Sequence, residues 1–204
     1  MTGGLGKVYT LGSPGEAASF YDGWAEGYEA ELADGGYITP QRCAEALADH
    51  VDQPEAPLAD FGCGTGLSGL SLRAAGFSCI DGFDISEGMR TKAEAKGIYR
   101  KLAPLDLSGS LDGIETGAYR NAAAIGVLNP NFMPPSVIDE ILSKLPRDGC
   151  FVFSINDHAL ADGSLETRVL ELTEHQVADL VHKSYGAHIP GENLQSTVYV
   201  LKKR

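Results

Sequence analysis

Three glycines at alternate positions follow a short apolar segment and an acidic residue. The segment is residues 58–61, which are apolar except for the acidic residue Asp60, and the glycines are Gly62, Gly64 and Gly66. Glycine is needed where a chain turns sharply and lets a ligand approach its backbone. A strand, a glycine turn and a following helix therefore predict a binding loop for an adenosine-containing ligand in an open α/β sheet.

A second acidic residue, Asp84, ends the next apolar segment, where its carboxylate can accept hydrogen bonds from both hydroxyls of a ribose. Residues 60–66 read D-F-G-C-G-T-G, and residues 84–89 read D-I-S-E-G-M. Together these motifs resemble those of the class I methyltransferases that use S-adenosylmethionine (SAM). The resemblance implies SAM as the cofactor, held by Asp60, Gly62, Cys63, Gly64, Gly66, Asp84, Ile85, Ser86 and Met89.

Two other interpretations of the glycines compete with this one. Residues 64–69 formally match the dinucleotide fingerprint G-x-G-x-x-G, which is weak on its own in a chain with 25 glycines. A carboxylate at Asp60 would repel a pyrophosphate, whereas it tolerates the ammonium of methionine. Ser86 and Met89 are also not part of the dinucleotide fingerprint. SAM is favoured over a nicotinamide cofactor, and a plain structural turn remains an alternative.

The N-terminal segment carries an aromatic motif. Tyr21, Trp24 and Tyr28 lie on a predicted helix that begins at the capping sequence of residues 13–16. This motif, together with the end of the chain from His188, is similar to the methyltransferase-like group named after the Williams–Beuren syndrome region. In that class the N-terminal helix covers the cofactor, so the resemblance implies lid helices over residues 14–52. Tyr21 and Tyr28 would contact the cofactor and Trp24 the substrate; the alternative is that these rings only pack the helix.

The resemblance also implies contacts from the third and fourth strands. Asp106 would accept a hydrogen bond from the adenine amino group, unless it is a turn or helix-cap residue. Leu107 and Gly126 are the other predicted cofactor contacts. Residues 126–132 partly match the Asn-Pro-Pro-aromatic motif of amino-methylating DNA enzymes, but Asn131 replaces the second proline. The Gly-Val-Leu step of residues 126–128 fits the small-molecule enzymes better.

The methyl acceptor is expected beside the carboxyl ends of the fourth and fifth strands. The candidate substrate contacts are Trp24, Asn129, Asn131, Phe132 and Asn156. His158 is predicted to be the only histidine at a strand end facing this crevice and is the candidate general base, with a satisfied loop histidine as the alternative. His188 is placed in a hairpin loop, where it could border the pocket.

Composition limits the function further. The net charge is −12 and the only basic run is Lys202–Arg204, so a nucleic-acid acceptor is disfavoured. The four cysteines show no metal-ligand spacing, so no metal is expected. The chain has no apolar N-terminal leader and no apolar run long enough to cross a membrane, which predicts a cytoplasmic location without a membrane partner.

From residue 58 onward, apolar strand patterns alternate with helical ones, which is typical of a Rossmann-like, doubly wound α/β fold. Strands are predicted at 58–61, 78–83, 101–105, 122–127, 150–155, 178–184 and 196–201. The last two form a hairpin, so the sheet of about seven strands should be mostly parallel with one antiparallel strand. The chain of 204 residues is predicted to be one domain.

The predicted function is the transfer of a methyl group from SAM to a small molecule by SN2 displacement. A non-catalytic SAM-binding or partner-regulating domain of the same fold is one alternative, and an NAD-dependent reductase is another. The sequence predicts neither the acceptor nor the oligomeric state.

Overall fold

A computed structural model describes residues 13–105, 107, 110–131 and 133–204. Two of the predicted site residues, Asp106 and Phe132, lie outside the described residues. The helices are α1 (Pro14–Gly35), α2 (Thr39–Ala48), α3 (Leu67–Ala74), α4 (Glu87–Glu94), α5 (Val137–Lys144), α6 (Asp157–Leu160) and α7 (Ser164–Glu174). The strands are β1 (Leu58–Phe61), β2 (Ile80–Phe83), β3 (Lys101–Ala103), β4 (Asn121–Ala124), β5 (Cys150–Asn156), β6 (Ala178–Ile189) and β7 (Leu194–Lys203).

The described strands form a seven-stranded sheet in the order β3-β2-β1-β4-β5-β7-β6. Neighbours from β3 to β5 pair in parallel, and β7 is antiparallel to both β5 and β6. The predicted fold is confirmed, including the single antiparallel strand. The strand order reverses between β1 and β4, which opens a crevice at their carboxyl ends.

Both faces of the sheet are covered. Phe61 and Phe153 pack towards α5 and α7 on one face, whereas Leu58 and Val198 pack towards α2 and α3 on the other. A strand covered on both sides is mostly apolar along its length, which explains why residues 150–155 are apolar except for Ser154. In the described part of the chain, no helix is both long and apolar enough to cross a membrane.

The N-terminal helix α1 begins and ends where its sequence signals lie. The Ser13 hydroxyl accepts a hydrogen bond from the backbone N–H of Glu16 at 3.3 Å. Gly36 ends the helix in the left-handed conformation, with φ of 72°. The helix therefore begins at the predicted capping sequence and runs to Gly35.

All strands except β1 differ from their predicted ranges by at least one residue, and the changes in β4 and β6 affect the site. β4 ends at Ala124 rather than at residue 127, because Gly126 has a φ of 69° and donates its N–H to the Ser154 hydroxyl at 2.8 Å instead of to the sheet. β6 continues to Ile189 rather than stopping at residue 184, and it pairs with β7 over this length. The short helix α6 was not predicted; its start is fixed by the Asn156 side chain, which accepts from the N–H of Ala159 at 3.1 Å.

Candidate functional site

Two adjoining cavities lie at the carboxyl ends of the parallel strands. The first has a volume of about 90 Å³, and the second about 360 Å³. The residues predicted for the cofactor that line the first cavity are Tyr21, Tyr28, Gly62, Gly64, Asp84, Ile85, Met89, Leu107 and Gly126. Cys63, Gly66, Ser86 and Asp60 do not line it, although Cys63 and Gly66 belong to the same loop.

The shape of the glycine loop is fixed by Asp84. Its Oδ2 accepts from the N–H of Gly64 at 2.8 Å, and its Oδ1 accepts from the N–H of Ser86 at 2.9 Å. Burial raises the pKa of Asp84, while these two backbone contacts lower it. A carboxylate has about four acceptor positions, so two remain for a bound molecule.

Gly64 provides open space beside the loop. Its φ is 53°, and a Cβ built on it would meet no atom within 4 Å. The backbone therefore approaches the first cavity without a side chain in the way. This is the arrangement that a ligand needs for close contact with a glycine loop.

Asp60 lies beneath the loop and is fully buried. Its Oδ2 accepts from the Ser68 hydroxyl at 2.6 Å and from the Tyr99 hydroxyl at 2.8 Å. Its Oδ1 has no hydrogen-bond partner within the described ranges. Burial raises the pKa of Asp60 to about 6. Asp60 lines neither of the two cavities, so its predicted contact with the cofactor stays a prediction.

Helix α1 forms a wall of both cavities with its aromatic side chains. The rings of Trp24 and Tyr28 meet edge to face with centroids 4.8 Å apart, and those of Tyr21 and Tyr28 lie 6.4 Å apart. The Trp24 indole N–H donates to Glu31 at 2.9 Å. The aromatic motif thus faces the site rather than only the body of the domain.

Acidic side chains of α1 hold it against α4. The Asp22 carboxylate accepts from the Ser86 hydroxyl at 2.5 Å and from the N–H of Gly88 at 3.0 Å. The hydrogen bond from Ser86 is the largest cause of the lowered pKa of Asp22. Two helical turns further on, Glu29 forms an ion pair with Lys96. Ser86, a predicted cofactor residue, therefore contacts α1 in the structure.

The second cavity brings together the residues predicted for the acceptor. Its lining includes Trp24, Asn129, Asn131, Asn156 and His158. These residues come from α1, from the loop after β4, from the end of β5 and from α6 directly after it, because parallel strands present their carboxyl ends at the same edge. His158 lies in α6 and is exposed.

A second histidine, His188, also lines this cavity, so His158 is not the only one facing the crevice. His188 belongs to β6, not to a hairpin loop, and only 5% of its surface is exposed. Burial, together with the charge of Arg42, lowers the pKa of His188 to about 4. Tyr37 was also missed; its ring packs edge to face on His188 at 5.1 Å. The only sequence signal that His188 lies in a strand was the alternation of polar and apolar residues that continues past residue 184.

Among the described residues, no group of three His, Cys, Asp or Glu side chains is arranged to hold a metal ion. The polar side chains that line the two cavities carry carboxylate, amide, imidazole, phenol and indole groups. Such groups bind, orient and exchange protons with an organic molecule.

Comparison with known proteins agrees with this architecture. No family model matches the chain. Methyltransferase-like protein 27 from Homo sapiens is 32% identical over 124 residues, which are 60% of this chain and 51% of that protein. The chain thus spans about half the length of this curated relative.

Solved structures share the fold at low sequence identity. An S-adenosylmethionine-dependent methyltransferase from Mesorhizobium loti matches with a TM-score of 0.60 and 16% identity, over 78% of this chain and 98% of that one. Magnesium protoporphyrin IX methyltransferase from Synechocystis PCC 6803 with bound SAM matches with a TM-score of 0.61 and 17% identity, over 82% and 81% of the two chains. The chain therefore has the fold of the class I SAM-dependent methyltransferases and is similar in sequence to methyltransferase-like protein 27, as its motifs predict.

Proposed function

We propose that this protein transfers a methyl group from SAM to a small-molecule acceptor. The observation that carries the proposal is the pair of adjoining cavities, which share Tyr21, Tyr28, Gly126 and Val127 as walls. The larger second cavity gives an acceptor a place beside the cofactor.

The residues of the first cavity fit SAM. The two remaining acceptor positions of Asp84 suit the two ribose hydroxyls, and Ile85 and Met89 offer apolar contacts to the adenine. Gly64 leaves room for the methionine portion along the loop. The alternative of NAD would place a pyrophosphate near the buried carboxylate of Asp60, which electrostatics disfavours.

SAM held by Gly64, Asp84 and Met89 would supply a methyl group: the acceptor's lone pair would form the new bond to carbon, the electrons of the broken carbon–sulfur bond would stay on sulfur, and the acceptor's proton would go to water or a base. The chain contributes geometry and exclusion of water. The region between the cavities is enclosed by the side chains of Tyr21, Trp24 and Tyr28. The faces of these aromatic rings stabilise a cationic sulfonium. His158 remains the candidate base for the proton.

A small molecule is the acceptor class that the second cavity favours. It is a concave pocket between α1, the loop after β4 and α6, and its volume of about 360 Å³ suits an organic metabolite. The net charge of −12 disfavours a nucleic-acid acceptor.

Helix α1 would act as a lid over SAM. It supplies Ala17, Tyr21 and Tyr28 to the first cavity, and it is held to α4 mainly by polar contacts. We expect amide hydrogen exchange of residues 14–35 to slow more than that of the strands when S-adenosylhomocysteine is added. Equal slowing in both regions would leave α1 as a packing element only.

The central experiment measures cofactor binding and turnover separately. In a thermal-shift titration, SAM and S-adenosylhomocysteine should stabilise the fold by about 2.7 kcal/mol at 100 times their dissociation constants, and NAD should not. Turnover is then measured with methyl-labelled SAM and a metabolite extract, with the Gly64→Val variant as the inactive control. Label in a small-molecule product is the expected result.

Three other outcomes would contradict the proposal. Stabilisation by NAD instead of SAM would favour a reductase. Tight binding of SAM without labelled products would favour a non-catalytic binding domain. Label that appears in nucleic acid rather than in small molecules would contradict the acceptor class.

A further inference from the structure

His188 stands at the end of a chain of four buried or half-buried side chains. The Arg42 guanidinium donates to the Ser196 hydroxyl at 3.0 Å, and the Ser196 and Thr39 hydroxyls lie 3.0 Å apart. The Thr39 hydroxyl lies 2.8 Å from Nδ1 of His188. The ring of His188 lines the second cavity. Because Thr39 occupies Nδ1, Nε2 is the ring nitrogen that remains for a bound molecule.

The direction of the hydrogen bonds that link these four side chains follows from Arg42, whose guanidinium can only donate. The Ser196 oxygen therefore accepts from Arg42, and the Ser196 proton needs an acceptor because the residue is 0% exposed. The acceptor in reach is the Thr39 oxygen. The Thr39 proton is then directed to Nδ1 of His188, which accepts it.

An Nδ1 that accepts leaves the single proton of a neutral imidazole on Nε2. The opposite direction would have His188 donate to Thr39 and Thr39 donate to Ser196. The Ser196 oxygen would then accept twice, and its own proton would be buried without a partner, which is unfavourable. Burial and the nearby Arg42 also lower the pKa of His188 to about 4, so the ring stays neutral at physiological pH.

We propose that His188 presents its Nε2–H to the second cavity as a hydrogen-bond donor, and that the methyl acceptor carries a hydrogen-bond-accepting oxygen or nitrogen at this point. This inference rests on the proposed function. The rings of Tyr37 and Trp24 border the same cavity, so the favoured class is a planar molecule with a carbonyl, phenolic or ring-nitrogen acceptor. His188 selects and orients this molecule and is not the base that takes its proton.

The tautomer is tested directly by nuclear magnetic resonance of ¹⁵N-histidine-labelled protein loaded with S-adenosylhomocysteine. His188→Asn identifies the signal of this ring among those of the five histidines. The expected result is a neutral ring protonated on Nε2 across the neutral pH range. A proton on Nδ1, or a charged ring at neutral pH, would overturn the proposal.

Variants of Thr39 test the chain of hydrogen bonds behind the ring. Thr39→Val keeps the shape but removes the hydroxyl, so a detectable share of His188 should shift its proton to Nδ1. Thr39→Ser keeps the hydroxyl and should keep the wild-type tautomer. The same tautomer in both variants would show that Thr39 does not direct the proton.

Matched fragments test the class of acceptor. Acetophenone and ethylbenzene have similar shapes, but only acetophenone carries a carbonyl oxygen. Acetophenone should shift the Nε2 signal of His188 in the loaded protein, and ethylbenzene should not. Equal shifts, or no shift with either fragment, would contradict the proposed donor role.

Calorimetry with S-adenosylhomocysteine on the same samples separates this proposal from the proposed function. Cofactor binding with the wrong tautomer overturns only the role of His188. Failure to bind the cofactor overturns the proposed function, whatever the tautomer.

Discussion

The sharpest test of the cofactor site is Gly64→Ala, compared with Gly97→Ala as a matched control. Gly64 has a φ of 53° and Gly97 a φ of 61°, and a Cβ at either position would meet no atom within 4 Å. Both substitutions therefore carry the same backbone cost, that of an alanine in the left-handed region. They differ in place, because Gly64 lines the first cavity and Gly97 follows α4 away from it.

The expected magnitudes follow from this pairing. A left-handed alanine costs about 1–2 kcal/mol of folding free energy. For a chain of this size, each 1 kcal/mol lowers the midpoint of thermal unfolding by about 2–4 °C. Both variants should show this loss. In Gly64→Ala the added methyl also occupies space that SAM needs, and overpacking of this kind costs about 1–3 kcal/mol. Affinity should therefore fall roughly 5- to 150-fold.

The assay is calorimetric titration of S-adenosylhomocysteine, with thermal unfolding of the ligand-free variants measured in parallel. Gly97→Ala should bind as the wild type does, and Gly64→Ala should bind more weakly at a similar unfolding temperature. If the two variants bound equally well, the cofactor would not pass beside Gly64 and the placement of the methionine portion would be wrong. A loss of affinity in Gly97→Ala as large as that in Gly64→Ala would trace the effect to stability alone.

Three further predictions concern carboxylates. Asp84→Ala should weaken S-adenosylhomocysteine binding by about 1.5–3 kcal/mol, which is the value of hydrogen bonds to a charged group. An unchanged calorimetric affinity would show that Asp84 does not bind the ribose. The pKa of Asp60 is raised in the folded protein from 3.8 to about 6, so the stability that its proton contributes is present below pH 4 and lost as the pH rises through 6. The free energy of unfolding of Asp60→Asn, measured in urea without ligand, should therefore rise by about 3 kcal/mol relative to that of the wild type between pH 4 and 7. Parallel pH profiles of the two proteins would refute this. Asp22→Ala should weaken S-adenosylhomocysteine binding by about 0.5–1 kcal/mol because α1 loses the acceptor for Ser86 and Gly88, whereas Glu26→Ala, which removes an ion pair from a side chain that is 86% exposed, should bind like the wild type. Equal affinities in these two variants would show that the Asp22 contacts do not support the lid.

Local sequence determined most of the sheet. β1 begins and ends at the predicted residues because its apolar run is bounded by Pro57 and by Gly62. Once the strands are parallel, their carboxyl ends meet at one edge, so Asn129 and Asn156 could be placed near one cavity without knowing any side-chain contact.

Long-range contacts determined what the sequence did not reveal. β6 extends past residue 184 because Arg42, far away in sequence, donates to the carbonyl oxygens of Ser184 and Ala187 and packs against Gly186. This extension places His188 in a strand and in the second cavity. Propensity alone favours a loop at a glycine. The environment of Asp60 likewise depends on a hydroxyl from Tyr99, which follows α4 and is not part of the glycine motif.

Four residues line both cavities, so cofactor and acceptor should affect each other's binding. We expect a molecule in either cavity to order Tyr21 and Tyr28, so that the second molecule binds walls that are already ordered. Such coupling is reciprocal, so the factor by which the cofactor tightens the acceptor equals the factor by which the acceptor tightens the cofactor. Trp24, the chain's single tryptophan, lines the second cavity, so its fluorescence reports the arrival of an acceptor. Acceptor screens should therefore give their strongest signals on protein saturated with S-adenosylhomocysteine, and weak ones on the empty chain.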